Sequence, residues 1–301
     1  MRSMRAGRLT LEWGSRTYVM GILNVTPDSF SGDGVLRQGG DWVERAVAQV
    51  RQCFADGADL IDIGGESTRP GSATVSAEEE IRRVVPVVQR LVAEGLGPIS
   101  IDTYKAEVAG AALEAGADLI NDIMALRGDP SMASVVVEHR APVVLMHNAS
   151  RPEQVATDPK WGSTYLGTEH ADFLADIIRE LQEIIALARQ AGIPDDLIVT
   201  DPGIGFGKTQ EQNLELIDRV SEVRALGYPV LVGPSRKSFV GQTLGLPSNE
   251  RLEGTAAAVA IAIARGADIV RVHDVKMMVR VARLSDAVVR HPGPLSSRED
   301  P

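Results

Sequence analysis

The sequence has 301 residues, a formal net charge of −10 and a pI of about 5.1. A chain this acidic is a poor general partner for nucleic acid or for an anionic membrane surface. Cys53 is the single cysteine, which excludes a disulfide framework and a cysteine-based metal cluster. Residues 1–16 lack the apolar core of a secretory signal, and the apolar run 255–264 is too short to cross a bilayer. We therefore expect a cytoplasmic protein.

Segments of strand and helix character alternate along the chain. The first predicted feature is a short β-hairpin, in which residues 9–13 and 16–19 flank a turn at Gly14-Ser15. The predicted strands that follow are 18–24, 58–64, 98–102, 117–122, 142–147, 197–201, 229–234 and 267–273. The predicted helices are 40–56, 76–94, 105–115, 130–140, 168–191, 210–226, 250–265 and 275–290.

Regular alternation of strands and helices is typical of a closed parallel barrel. The rival architecture, a doubly wound open sheet, usually has fewer strands and a glycine-rich first turn, which this sequence lacks. A weak repeat favours the barrel, because Gly-Ala-Asp recurs at Gly57, Gly116 and Gly266 between a predicted helix and an apolar strand. We predict an α/β fold: a single (β/α)8 TIM barrel over 17–291, with an N-terminal hairpin extension over 1–16 and a flexible tail over 292–301.

Polar residues stand at the C-terminal ends of the predicted strands. In chain order they are Asn24, Glu66 to Arg69, Asp102, Asn121 with Asp122, His147, Asp201, Ser235 to Ser238, and Arg271 with His273. In a TIM barrel these strand ends converge on one face, where active sites are built. A single polar strand end often only caps the next helix. So many together predict one active site.

Two kinds of polar group are expected in this site. Arg271 and His273 are two apart on one strand and point the same way, with Asn24 on the neighbouring strand of the closed barrel. A guanidinium forms a bidentate fork for phosphate oxygens, and an amide can help to hold an oxyanion or its Mg²⁺. These three residues predict an anion site.

The second group consists of two carboxylates, an amide and an ammonium: Asp102, Asn121, Asp201 and Lys237. Such a set matches the edge of a flat heterocycle, because the carboxylates accept from an amino-imine edge and the lysine donates to a ring carbonyl. A metal site at the two aspartates is the alternative. It is less favoured, since no histidine or further carboxylate stands beside either one at ligand spacing.

Taken together, these segments resemble the signatures of the dihydropteroate synthase family of pterin-binding barrels. The two longest matches are Gly21-Ile-Leu-Asn-Val-Thr-Pro-Asp-Ser-Phe-Ser and Asp62-Ile-Gly-Gly-Glu-Ser-Thr-Arg-Pro-Gly. Shorter matches occur at 100–103, 120–122, 145–147, 201–208, 234–239 and 271–274. The matches follow the family order and span nearly the whole chain.

The resemblance implies a transferase of folate biosynthesis. It would condense 6-hydroxymethyl-7,8-dihydropterin diphosphate with 4-aminobenzoate, giving 7,8-dihydropteroate and pyrophosphate, with Mg²⁺ as cofactor. The expected partners are these small molecules, with no nucleic acid and no membrane. A homodimer joined by helices near the C-terminus is also implied, and the alanine-rich run 255–264 is a candidate for that contact.

The resemblance also implies a role for each matching residue. Asp102, Asn121, Asp201 and Lys237 would hold the pterin, with Met146, Phe206 and Gly233 around it. Asn24, Arg271 and His273 would hold the diphosphate, and Asn24 would also ligate Mg²⁺. Thr68, Arg69, Pro70, Phe206, Lys237 and Ser238 would line the aminobenzoate pocket. Asp33, Arg69, Lys237, Arg271 and His273 would be catalytic, with Asp33 stabilising a pterin cation and Asp28 an alternative to it.

Several alternatives stay open at this point. A pterin-binding methyltransferase barrel would share the pterin residues, but it would have no use for Arg271 and His273. A non-catalytic paralogue would keep the barrel without turnover. Residues 26–34 are expected to form a flap that orders over bound substrate, and 148–167 a solvated variable loop. Cys53 is expected on a core face of its helix, and no covalent intermediate is predicted.

Overall fold

Eight parallel strands form the centre of the computed structural model, which describes residues 3–26, 41–68, 72, 74–151, 154–158, 160–167 and 172–290. In chain order the strands are β1 (Ser3–Ala6), β2 (Leu9–Glu12), β3 (Tyr18–Asn24), β4 (Leu60–Gly64), β5 (Ile99–Asp102), β6 (Leu119–Asp122), β7 (Val143–Met146), β8 (Val155–Asp158), β9 (Gly162–Tyr165), β10 (Ile198–Asp201), β11 (Leu231–Val232) and β12 (Ile269–Val272). The α-helices are α1 (Trp42–Ala55), α2 (Ala77–Ala93), α3 (Ala106–Glu114), α4 (Met132–His139), α5 (Phe173–Gln190), α6 (Gln210–Asp218), α7 (Val220–Arg224), α8 (Ser238–Leu244), α9 (Leu252–Ala264) and α10 (Val275–Val289).

The barrel strands pair in the order β10-β7-β6-β5-β4-β3-β12-β11. A parallel bridge between Thr200 and Val230 joins the two outermost strands, and the Thr200 N–H donates to the Pro229 carbonyl over 2.9 Å. The short strands β4, β5 and β6 are buried along their whole length, as expected when helices cover a parallel sheet. The TIM-barrel prediction is confirmed.

The N-terminal hairpin is present, but its predicted position is wrong. The paired strands are β1 and β2, and the turn between them includes Gly7, whose φ of +56° lies in the left-handed region. Gly14-Ser15 instead lies between β2 and β3. Met4, Ala6 and Leu11 alternate with exposed residues, so the apolar face of this hairpin decides which segments pair.

That apolar face covers the bottom of the barrel. The hairpin packs against inward residues from the N-terminal halves of the barrel strands, which form a cluster separate from the outer core. The barrel members of the cluster are Tyr18, Met20, Leu60, Leu119, Val144, Val199, Leu231 and Ile269. The hairpin thereby closes the N-terminal end of the barrel and leaves the C-terminal end for the site.

Two further segments differ from their predictions. The helix predicted over 210–226 is divided into α6 and α7, because Arg219, with a φ of −109°, leaves helical geometry. The region 148–167 contains the antiparallel hairpin of β8 and β9. Asp158 fixes its turn by accepting from the backbone N–H groups of Lys160 and Trp161.

Two further expectations concern membrane-spanning helices and the position of Cys53. No helix in the part of the chain that the structure describes is long and apolar enough to cross a membrane. Cys53 in α1 is partly buried against the core, as expected, and burial raises the pKa of its thiol to about 11. A thiol with so high a pKa is a poor nucleophile near neutral pH.

Candidate active site

The strand register brings predicted site residues to one level of the barrel. Asn24 pairs with Gly64, Gly64 with Asp102, and Asp102 with Asn121 across β3, β4, β5 and β6. These residues close the C-terminal ends of four neighbouring strands. The side chains of Asn24, Asp102 and Asn121 therefore border one opening, which we call the mouth.

Arg271 on β12 reaches two carboxylates in the mouth. Its Nε lies 2.5 Å from Asp62 Oδ2, and its Nη2 lies 2.7 Å from Asp102 Oδ2. Asp62 is fully buried and also accepts from the Ser100 hydroxyl at 2.6 Å and from the Asn121 amide at 2.9 Å. Burial alone would lower the pKa of Arg271, but the charges of Asp62 and Asp102 outweigh it and raise the pKa.

Only one of the two carboxylate oxygens of Asp102 has a hydrogen-bond partner among the described residues. Burial raises the pKa of its carboxyl to about 7, although the charge of Arg271 opposes this shift. Its Oδ2 is paired with Arg271, whereas no described residue donates a hydrogen bond to its buried Oδ1. A buried acceptor left without a donor costs about 1–3 kcal/mol. This oxygen is therefore well placed to accept a hydrogen bond from a ligand.

A second wall of the mouth combines Lys237, Phe206 and Asp201. The Lys237 ammonium lies 4.5 Å from the centroid of the Phe206 ring and donates to the Ile204 carbonyl. Asp201 ends β10, and its Oδ1 accepts from the Gly203 N–H at 2.7 Å. Burial lowers the pKa of Lys237 to about 8, against the opposing charge of Asp201. Burial likewise raises the pKa of Asp201.

The predicted anion residues lie on the neighbouring strands β12 and β3. His273 follows β12 directly, and its Nδ1 lies 3.0 Å from the Ser235 hydroxyl. The His273 backbone N–H also donates to this hydroxyl at 3.2 Å, so Ser235 fixes the ring and the backbone together. Asn24 is the half-buried last residue of β3.

The mouth offers Mg²⁺ few protein ligands. Within the described ranges there is no group of three or more His, Cys, Asp or Glu side chains that could hold a metal. Asn24 would supply one neutral oxygen. This arrangement fits an ion that arrives with a diphosphate, since Mg²⁺ keeps several waters and binds through one or two protein groups plus substrate phosphates.

The remaining predicted residues surround these groups. Met146 is buried at the end of β7 and pairs with Asp201 in the strand register. Gly233 follows β11, and a Cβ there would lie 3.6 Å from Arg271 Cβ. Ser238 begins α8 next to Lys237.

Some predictions concern the loops after β3 and β4. Thr68 is half-buried in the loop after β4. Arg69, Pro70, Asp28 and Asp33 lie outside the described residues, as does most of the predicted flap 26–34.

Comparison with known proteins identifies the family of the chain. The family model for pterin binding enzymes matches residues 20–273. The dihydropteroate synthase of Bacillus subtilis strain 168 is 47% identical over 283 residues, covering 94% of this chain and 92% of that protein. The chain belongs to the dihydropteroate synthase family of pterin-binding enzymes.

Solved structures of dihydropteroate synthases have the same fold. The Clostridium difficile enzyme, crystallised in the presence of pteroic acid, is 45% identical with a TM-score of 0.82, covering 92% of this chain and 98% of that one. The Xanthomonas albilineans enzyme with 4-aminobenzoic acid is 41% identical with a TM-score of 0.85, covering 97% and 99%.

Three residues in or behind the mouth have contacts that the sequence did not predict. Asp62, Ser235 and Lys208 stand in the matching motifs, but no specific role could be predicted for any of them. Asp62 carries a detectable signal, because a carboxylate in the apolar strand Leu60–Gly64 must find a partner when it is buried. Ser235 and Lys208 act through contacts that only the folded loops reveal.

An ion-pair cluster supports the loop after β4. Lys105 Nζ pairs with Glu66 and lies 2.5 Å from Glu80 Oε2. Glu66 Oε2 also accepts from the Val75 N–H at 3.2 Å. One carboxylate therefore links both ends of the loop that contains Thr68.

Proposed function

We propose that the mouth of this barrel condenses 6-hydroxymethyl-7,8-dihydropterin diphosphate with 4-aminobenzoate, giving 7,8-dihydropteroate and pyrophosphate. Family membership makes the chain a transferase of the dihydropteroate synthase type. The observation that carries the assignment of the site is Asp102, whose buried Oδ1 receives no hydrogen bond from the described residues. The amino-imine edge of a pterin supplies the N–H donors that this oxygen lacks.

The pterin edge fits the polar groups on both sides of the mouth. Asp102 and Asn121 stand side by side on β5 and β6, and Asp201 ends β10. Lys237 uses one of its three N–H donors on the Ile204 carbonyl, and another can reach a ring carbonyl. Met146, Phe206 and Gly233 then supply the surfaces around the ring.

The diphosphate fits the side of the mouth formed by β12 and β3. Arg271 carries a guanidinium that binds phosphate oxygens in pairs, and Ser235 orients the imidazole of His273. Asn24 would ligate Mg²⁺ together with the diphosphate oxygens. Bound Mg²⁺ would supply positive charge that stabilises the departing pyrophosphate.

Leaving-group stabilisation by Arg271 and His273 drives the proposed reaction. As the C–O bond at the exocyclic methylene breaks, its electron pair goes to pyrophosphate, whose charge these residues bind. The methylene becomes cationic, with charge spread into the pterin ring. The lone pair of the arylamine nitrogen then forms the C–N bond, and the nitrogen loses a proton. We assign the cation-stabilising carboxylate to Asp33, with Asp28 as the alternative, on sequence alone.

The second substrate would approach from the rim of the mouth. Thr68, Arg69, Pro70 and Ser238 are assigned to the aminobenzoate pocket together with Phe206 and Lys237. Near Thr68, the Glu66 carboxylate accepts from the Val75 N–H at 3.2 Å. No protein nucleophile takes part, and Cys53 in α1, with its raised pKa, is not needed.

The decisive experiment measures pyrophosphate release from the pterin diphosphate with and without 4-aminobenzoate. Release that depends on 4-aminobenzoate, with dihydropteroate formed in equal amount, supports the synthase. Pterin binding without aminobenzoate-dependent release would indicate a methyltransferase-type barrel or a non-catalytic paralogue. Transfer of a methyl group from methyltetrahydrofolate to a corrinoid would identify the former.

We further propose that the protein is a cytoplasmic homodimer whose partners are these small molecules. Support for the dimer comes from α9 and α10, which expose large apolar side chains. Ile261 and Met277 are 46% and 42% exposed, and Leu284 and Val288 are 69% and 70% exposed. An exposed apolar face of this kind is typical of a protein–protein contact.

A further inference from the structure

A buried lysine that the proposed mechanism does not use lies beneath the loop after β10. Lys208 is 3% exposed. Its Nζ donates to the Gly203 carbonyl at 2.9 Å and to the Phe206 carbonyl at 3.0 Å. An ammonium is rarely buried this fully unless its donors are used. Here two of the donors bind the loop that carries Phe206.

The same ammonium is linked to the loop after β7. Lys208 Nζ lies 3.0 Å from His147 Nδ1 and 3.3 Å from the His147 carbonyl. When the ammonium donates to Nδ1, the proton of the neutral imidazole stands on Nε2, which lies 3.0 Å from Glu180 Oε2 on α5. Burial lowers the pKa of Lys208 to about 7, with Asp201 opposing the shift.

The two loops touch so closely that glycines are required. A Cβ on Gly203, at φ +72°, would lie 1.9 Å from the His147 carbonyl oxygen. A Cβ on Gly207, at φ +68°, would lie 2.1 Å from the Ala149 carbonyl carbon. The Lys208 ammonium contacts both backbones at this point, and the His147 N–H also donates to the Asp201 carbonyl at 2.8 Å.

The loop that Lys208 holds is also bound by groups of the mouth. Lys237 donates to the Ile204 carbonyl and stacks over the Phe206 ring. Asp201 accepts from the Gly203 N–H. Lys208 binds the carbonyls of Gly203 and Phe206, which flank Ile204 in the chain. The Ile204 carbonyl, which accepts from Lys237, therefore lies in a loop whose carbonyls on both sides accept from Lys208.

We propose that Lys208 is a positioning residue for pterin binding: it holds the 203–206 loop so that Lys237 and Phe206 face the pterin. The inference rests on the proposed pterin site. It goes beyond that site because Lys208 itself lies behind the loop. The inference requires that loss of Lys208 acts through Lys237. The losses of pterin affinity caused by removing each lysine should therefore not be additive.

The test compares Lys208→Met with Lys105→Met. Both changes remove the amino group of a buried or partly buried lysine, but Lys105 pairs with Glu66 and Glu80 rather than with the 203–206 loop. Binding of 6-hydroxymethylpterin is measured by calorimetry well below the melting temperature. We expect Lys208→Met to weaken binding about tenfold, equivalent to one strong contact. Lys105→Met should lower the melting temperature without a comparable loss of binding.

A double-mutant cycle with Lys237→Met tests the coupling. If Lys208 acts through Lys237, Lys208→Met weakens pterin binding strongly in the wild-type background and little in the Lys237→Met background. Equal effects in both backgrounds, or a lower melting temperature with unchanged affinity, would overturn the inference. If Lys237→Met binds pterin as well as wild type does, the proposed pterin site itself is wrong.

A second variant tests the same contact in case Lys208→Met does not fold. His147→Gln removes the Nδ1 acceptor of Lys208 and keeps an amide near Glu180. We expect a smaller loss of pterin affinity, about threefold, with the same dependence on Lys237. Wild-type affinity in this variant and a folded Lys208→Met with wild-type affinity would both contradict the positioning role.

Discussion

Arg271 and Asp62 are 209 positions apart in the chain, yet Arg271 Nε lies 2.5 Å from Asp62 Oδ2. The contact joins β12 to β4 across the interior of the barrel. Asp62 also accepts from Ser100 and Asn121, so one buried carboxylate connects a residue assigned to the diphosphate with one assigned to the pterin.

Asp62→Asn tests the weight of this buried carboxylate. The change leaves Arg271 with Asp102 alone, and Arg271 is about one-fifth exposed, at 21%. We expect the free energy of unfolding, measured in urea, to fall by about 3 kcal/mol, the lower end for breaking a buried pair. The control Asp218→Asn breaks a surface pair with Arg265 and should cost about 0–1 kcal/mol. Similar losses in both variants would contradict the prediction.

Arg271→Ala separates catalysis from pterin binding. The variant lacks the guanidinium that would bind the departing pyrophosphate, so we expect turnover to fall by about 10²–10³-fold. Affinity for free 6-hydroxymethylpterin should fall far less, because the pterin edge is held by other groups. Steady-state kinetics and calorimetry measure the two quantities. Equal losses in both would show that the anion site is misplaced.

Deprotonation of Lys237 should weaken pterin binding at alkaline pH. Its pKa of about 8 means that the donating ammonium is lost as the pH rises above 8, so wild-type affinity should fall there. Lys237→Met should lack this part of the pH dependence, while any titration of the ligand itself remains. The pH dependence of folding stability through Lys237 has the opposite sign to that of pterin affinity. Between pH 8 and the unfolded value of 10.5 the unfolded chain binds more protons, so this group's contribution to stability rises with pH.

Alanine substitutions at two glycines with similar backbone angles distinguish the cost of backbone strain from the cost of a steric clash. Gly203 and Gly227 have φ values of +72° and +91°. A Cβ on Gly203 would meet the His147 carbonyl at 1.9 Å, whereas a Cβ on Gly227 meets nothing within 4 Å. Gly227→Ala should cost about 1 kcal/mol from strain alone. Gly203→Ala should cost at least about 2 kcal/mol more, measured by urea unfolding. Equal costs would refute the close contact of the two loops.

Leu284→Glu tests the dimer proposal. The side chain is 69% exposed on α10, so its replacement should leave the fold intact but place a charge in the apolar contact. We expect light scattering to give twice the chain mass of 32.2 kDa for the wild type and the chain mass for the variant. Leu214→Glu, at an exposed position on α6, is the control and should stay dimeric. A monomeric wild type would end the proposal.

The barrel was predictable because its strands are short apolar runs that end at polar residues. The strand predicted over 18–24 is found at Tyr18–Asn24, and Asp102 and Asp201 end β5 and β10 as expected. Parallel strands covered on both faces leave such a pattern in the sequence itself.

What the sequence could not show are contacts between distant loops and the choice between equivalent turns. Gly7 and Gly14 are both suitable turn residues, and only the apolar face against the barrel selects Gly7. Arg271, one of the partners of Asp62, lies 209 positions away in the chain. Lys208 contacts His147, which follows β7 and lies 61 positions earlier in the chain.

Because β1 and β2 cover the N-terminal end of the barrel, the described residues leave the mouth as the way in for ligands and the way out for products. At the proposed site, a pterin at the level of Asp102 and Asn121 would lie deeper than an aminobenzoate near Thr68 and Ser238. The site would then fill from the inside outwards, pterin before aminobenzoate, and the joined product would have to withdraw its full length before the next cycle. A compound lodged at the rim would accordingly trap whatever already occupies the depth below it.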